Sequence, residues 1–151
     1  MTPRPDPEHP RPDFRRDAWV NLNGTWDFAF DPGNVGEQAR WYGRAAPALA
    51  ADAGIHDDPF TRSIVVPFPW ESRLSGIEGT AYLGAAWYRR VVRAPDDWAA
   101  SEGYDGSPWR LRPWLCVGAV DWHARVWVDG RFAGEHAGGY TPFAIDLSAH
   151  L

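Results

Sequence analysis

The chain has 151 residues, is 44% hydrophobic and 15% aromatic, and carries a formal charge of -5. That length is one domain's worth, and that apolar content buries a core, which excludes a disordered chain. The acidic balance excludes a nucleic-acid backbone as partner, because phosphate recognition needs a basic face.

All fifteen cationic residues are Arg, which fits a GC-rich coding bias. The lone cysteine, Cys116, leaves no internal disulfide and no thiol pair for a metal. It lies in the apolar run Trp114 to Val117 and is expected to be a small buried hydrophobe. No apolar stretch approaches the ~20 residues of a bilayer span, so no membrane partner is expected. The Pro-rich, charged start lacks the apolar segment of a signal peptide, which makes the cytoplasm the default location.

Residues 1–13 alternate Pro with charge or His and are expected to form a disordered tail, since proline fixes φ and lacks a donor. Order is expected over 14–151. Thr25 to Phe30 alternates, placing Trp26, Phe28 and Phe30 on one strand face, where core is the favoured role over a sugar platform. Asp31-Pro32-Gly33-Asn34 stops that strand. Ala45 to Ala53 allows one or two helical turns, limited by Pro47 and Gly54. Ser63 to Pro67 is a short strand. Ala86 to Val92 has apolar groups on both sides, which predicts a central strand. Pro95 to Trp98 reads as a turn.

Trp109 to Val117 reads as a strand with an edge or bulge at Pro113. His123 to Val128 follows, with Ala124, Val126 and Val128 on one side. Asp129-Gly130 is a hairpin signal, because both residues tolerate the positive φ of a type I′ turn. A glycine-bracketed loop, Gly134 to Phe143, leads into a last alternating strand with Phe143, Ile145 and Leu147. Many short strands with plentiful Gly and Pro predict an all-β sandwich.

Four segments, in order, carry a resemblance. They are Leu22-Asn23-Gly24-Thr25-Trp26-Asp27-Phe28, Val65-Val66-Pro67-Phe68-Pro69-Trp70-Glu71-Ser72, Trp87-Tyr88-Arg89-Arg90, and the series from Gly118 to Phe143. Together they resemble the N-terminal sugar-binding domain of glycoside hydrolase family 2, the family of β-galactosidases and β-glucuronidases. Val117 stands where the family usually has Phe, Asp129 where it often has Asn, and the stretch Arg44 to Pro59 is long.

The resemblance implies a jelly-roll β-sandwich similar to galactose-binding domains, C-terminally incomplete and missing its last strand. It implies a catalytic (β/α)₈ barrel as partner and carbohydrate as ligand. The barrel, typically ~250 residues, does not fit beside this domain in the chain. The retaining carboxylate pair, ~5–5.5 Å apart on a rigid frame, would belong to it. No catalytic residue is therefore expected here. Neighbouring carboxylates such as Asp57-Asp58 and Asp96-Asp97 read as solvated turn residues.

Candidate substrate-rim or domain-interface residues are Glu135, His136, Gly138, Gly139 and Tyr140, with Trp127 and Trp70. The glycine pair lets a loop approach another surface closely, and loops carry function disproportionately. Tyr140 as a plug at the sandwich end is the competing role. Trp127 is assigned to the partner barrel before sugar or cover of the outer sheet, and Trp70 to a structural wedge. Asp121 is expected to fix a corner, with a sugar contact as its minor role. The five His show no zinc-like spacing and no calcium loop is present, so neither metal nor cofactor is expected. A non-catalytic domain of a family 2 hydrolase is the leading reading. A lectin-like module and a scaffold without sugar affinity are the alternatives.

Overall fold

The computed structural model describes residues 5–8, 18–43, 58–78, 81–93, 95 and 112–150. The expected turns in Ala45 to Ala53, residues 96–98 of the turn at Pro95 and residues 109–111 of the predicted strand lie outside them. So do Asp57, Asp96, Asp97 and residues 1–4 and 9–13 of the expected tail. The described residues form seven strands in antiparallel sheets and no α-helix. They fall into two compact units, one drawn from 1–39 and 45–92, the other from 40–44 and 93–151.

In the first unit, β1 (Gly24–Asp31) lies between β2 (Arg62–Val66) and β3 (Ala85–Arg89). The alternation predicted for β1 holds. Phe28 is fully buried and meets Phe30 edge-on at 4.8 Å and Tyr88 at 5.1 Å, with Ile64 buried beside it. Burial and the charge of Glu71 push the Tyr88 phenol up to about 12.

The opposite face of β1 is polar and closed. Asp31 is buried, and its carboxylate accepts from Val35 N, Gly36 N and Trp87 Nε1 at 2.9, 2.7 and 3.1 Å. Arg89 pairs in register with Asp27 and donates to it at 3.0 Å. It also grips Asp58 through two bonds of 3.1 and 2.7 Å, with its guanidinium 4.0 Å from the Phe60 ring centre. Bidentate geometry of this kind is the strong form of the ion pair.

The expectation of a central strand at Ala86 to Val92 is corrected. β3 ends at Arg89 and lies at the sheet's edge among the described residues, and β1 is central. Apolar groups on both sides report side-chain contacts on both faces, not that both edges are paired. Trp87 bonds to the Asp31 turn, and Tyr88 rests one edge of its ring on Phe28 while staying 39% exposed.

In the second unit, β4 (Trp114–Val117) pairs with β7 (Phe143–Asp146), and β5 (His123–Val128) with β6 (Arg131–Ala137). Pro113 stands just before β4, where its missing donor costs nothing, and its carbonyl accepts from Leu147 N at 2.8 Å. Leu115, Val117, Phe143 and Ile145 share the covered face. Cys116 alternates to the other face with Trp114 and is exposed, not buried as expected. An apolar run on a strand with one covered face must turn every second residue outward.

Candidate functional site

Backbone geometry builds the loop region of the second unit. The β5–β6 hairpin closes through Asp129 at φ 47° and Gly130 at φ 77°, the positive pair that the sequence predicts. Val128 faces Arg131 across that turn, and a bulge follows where Trp127 pairs with Phe132 and Val126 with Gly134. A bulge re-aims side chains on a strand. Here it accompanies a cluster in which the Trp127 ring lies parallel to Tyr42 at 5.2 Å and edge-on to Phe132 at 5.8 Å. The Arg125 guanidinium is 5.2 Å from the ring centres of both Trp127 and Phe132. Trp127 is thus occupied by its own unit.

β6 carries the next candidates. Glu135 is exposed and pairs with Arg125 at 3.4 Å and His123 at 3.5 Å. His136 faces the other way. Its ring stacks on Phe143 at 4.4 Å, and Nε2 is 3.1 Å from Thr141 Oγ1. That pair ties both ends of the loop, so the residues between are held from either side.

The loop itself is pinned by a segment distant in sequence. Gly138 N donates to Trp122 O at 2.6 Å. A Cβ at Gly139 would lie 2.6 Å from Asp121 Oδ1, so any larger residue here would have to push that carboxylate aside. Tyr140 then projects into water, 95% exposed. Trp122 is 67% exposed. Tyr140 therefore does not plug its own unit.

Trp70 belongs to the first unit. Its ring meets Phe30 at 5.8 Å and Tyr82 at 6.1 Å, which makes it a wedge in the aromatic core. Its buried Nε1 has no hydrogen-bond partner among the described residues.

Glu135, His136, Gly138, Gly139 and Tyr140 are thus gathered on one strand end and loop. Sequence reasoning missed the approach of Asp121-Trp122 to Gly138-Gly139 and the stacking of Tyr42 on Trp127. The glycine pair was the signal for the first. The second has none, because Tyr42 lies in a segment without strand period. Among the described residues no three His, Cys, Asp or Glu side chains gather as a metal site, and no helix is long and apolar enough to cross a membrane.

Comparison with known proteins agrees with this architecture. The family model described as glycosyl hydrolases family 2, sugar binding domain, matches residues 19–151. A β-glucuronidase of Paenibacillus borealis is 27% identical over 132 residues, 85% of this chain and 18% of the relative. A β-glucuronidase of Canis lupus familiaris is 27% identical over 151 residues, 98% of this chain and 20% of the relative. The solved β-glucuronidase of Lactobacillus rhamnosus superposes with a TM-score of 0.62 at 26% identity, over 87% of this chain and 18% of that one. A Ruminococcus gnavus β-glucuronidase solved with a C6-substituted uronic isofagomine gives 0.64 at 22% identity, over 91% and 20%. The chain spans about a fifth of the length of these relatives, 18–20%. With the match running from Trp19 through the hairpin and its loop to Leu151, the chain belongs to the sugar-binding-domain family of the family 2 glycosyl hydrolases.

Proposed function

We propose that the chain serves as the non-catalytic, sugar-binding-type domain of a retaining β-glucuronidase- or β-galactosidase-like hydrolase. In this reading it works beside a (β/α)₈ barrel that carries the cutting carboxylates. The loop Gly138-Gly139-Tyr140, backed by Glu135 and His136, forms the rim of the substrate site or the contact with the barrel. Tyr140 carries the argument. A ring left 95% exposed on a backbone pinned from three directions is positioned for an external surface.

The test has two arms. Purified chain is incubated with 4-nitrophenyl β-glucuronide and β-galactoside, and turnover at the level of buffer is expected. Turnover that persists through repurification and tracks the protein peak overturns the non-catalytic role. Separately, a family 2 β-glucuronidase barrel stripped of its own N-terminal domain is titrated with the chain in an ultracentrifuge. A complex weakened by Tyr140→Ala is expected, and absence of any complex counts against the accessory role.

A further inference from the structure

We propose that Asn23-Gly24 is a site of spontaneous deamidation that the fold holds shut, and that its conversion to the acid unfastens the amino-terminal segment at Pro5.

The chemistry is set by one residue pair. Asn23-Gly24 is the single Asn-Gly of the chain. In such a pair the backbone nitrogen of Gly24 attacks Cγ of Asn23, because glycine has no Cβ to shield that nitrogen. The bond from Cγ to the side-chain nitrogen breaks, and ammonia leaves with the amide proton of Gly24. Water then opens the cyclic imide at either carbonyl and leaves aspartate or isoaspartate. Water is the sole co-reactant.

Ring closure requires Asn23 and Gly24 to turn about their backbone, and their surroundings oppose it. Asn23 N donates to Asn21 Oδ1 at 2.8 Å. Arg90 Nη1 donates to Asn23 O at 3.2 Å and to Leu22 O at 2.6 Å. Gly24, at φ 115°, opens β1 in register with Val66. The leaving nitrogen, Asn23 Nδ2, donates to Pro5 O at 3.3 Å, next to a 2.8 Å bond from Asn21 Nδ2 to Asp6 O. A pair bonded in this way reacts only when it opens locally.

The product cannot make the same bonds. A carboxylate accepts and does not donate, so the acid would face the Pro5 carbonyl, also an acceptor, and that tether is lost. Isoaspartate also adds one backbone carbon ahead of Gly24, at the start of the strand that lies between β2 and β3. The step loses ammonia and is one-way, so the segment stays released.

Ageing the full chain in mildly alkaline buffer, folded and in urea, decides it. The Asn23 peptide is followed by mass spectrometry with isoaspartate detection. The folded chain should react at least about 10-fold more slowly than the chain in urea. Asn21→Ala removes two of the bonds and should speed the folded chain about 5-fold. Arg90→Met removes the charged donor and should speed it about 10-fold. Asn23→Asp stands in for the product and should raise the mobility of the Asp6 and Glu8 amides in nitrogen relaxation. Equal rates in the folded and unfolded chain, or no acceleration in either variant, overturn the guarded site. So does acceleration that merely matches each variant's loss of global stability in urea. Unchanged relaxation at Asp6 in Asn23→Asp overturns the release.

Discussion

Gly36 and Gly139 each lie against a neighbouring carboxylate, and the contrast between their surroundings separates the two units. At Gly36 the carboxylate is Asp31, buried and fully bonded. At Gly139 it is Asp121, exposed and without a hydrogen-bond or ionic partner among the described residues. The first unit uses polar groups to lock backbone inside, with Asp27 and Asp58 satisfied by Arg89 and Asp31 by N–H donors. The second keeps a carboxylate and two aromatic rings outside, on a backbone just as closely fitted. Internal satisfaction is the mark of a structural lock. Fitted exposure is the mark of a surface meant for something else.

Breaking the first unit should give the largest effects. Phe28→Ala removes a side chain with no exposed surface from the meeting point of Phe30 and Tyr88. A loss of about 3–5 kcal/mol in urea denaturation is expected, a large part of a domain's stability. Arg89→Met leaves Asp27 and Asp58 facing each other without their shared cation. The guanidinium is only 11% exposed, so solvent replaces it poorly, and a loss of about 2–3 kcal/mol is expected. A loss below about 0.5 kcal/mol in either variant would show that the closed faces of β1 do not carry the unit's stability.

Gly36→Ala sharpens the comparison. The new methyl would lie 2.4 Å from Trp87 Nε1 and 2.8 Å from Asp31 Oδ2, both fixed by mutual bonding. Overpacking of this kind costs about 1–3 kcal/mol. Gly139→Ala meets Asp121 Oδ1 at 2.6 Å, but that carboxylate turns freely into water. Its melting temperature should move far less than that of Gly36→Ala. Equal shifts in the two variants would erase the distinction between a buried lock and a fitted surface.

Much of this was legible in the residues, for identifiable reasons. The period of Trp26, Phe28 and Phe30 gave β1, and Asp129-Gly130 gave the hairpin, because both signals are local. Cys116 and the place of β3 in its sheet were misread. Both depend on which faces and edges find partners, which is decided by chain far away in sequence. The Asp121–Gly139 approach joins residues eighteen apart across two strands. No periodicity encodes it, and only the glycine pair hints at a close neighbour. The polar face of β1 was missed for the same reason, since Asp58 and Arg89 are separated by 31 residues.

The smallest predicted effect tests how tightly the aromatic face is closed. Tyr88 has its phenol raised from 10.0 to about 12, chiefly by burial and then by Glu71. Between those two values the unfolded chain has released this proton and the folded chain has kept it. Folding stability then falls as pH rises, because the folded state holds more protons than the unfolded one. The contribution is whole below pH 10 and gone above the raised value. Tyr88→Phe removes the proton, so its stability should decline less steeply over that window than the parent's. The ring stays against Phe28, which keeps the packing loss at neutral pH small. Parallel curves for the two proteins would mean that the exposed part of Tyr88, 39% of the residue, keeps its phenol in water while Phe28 beneath it stays buried.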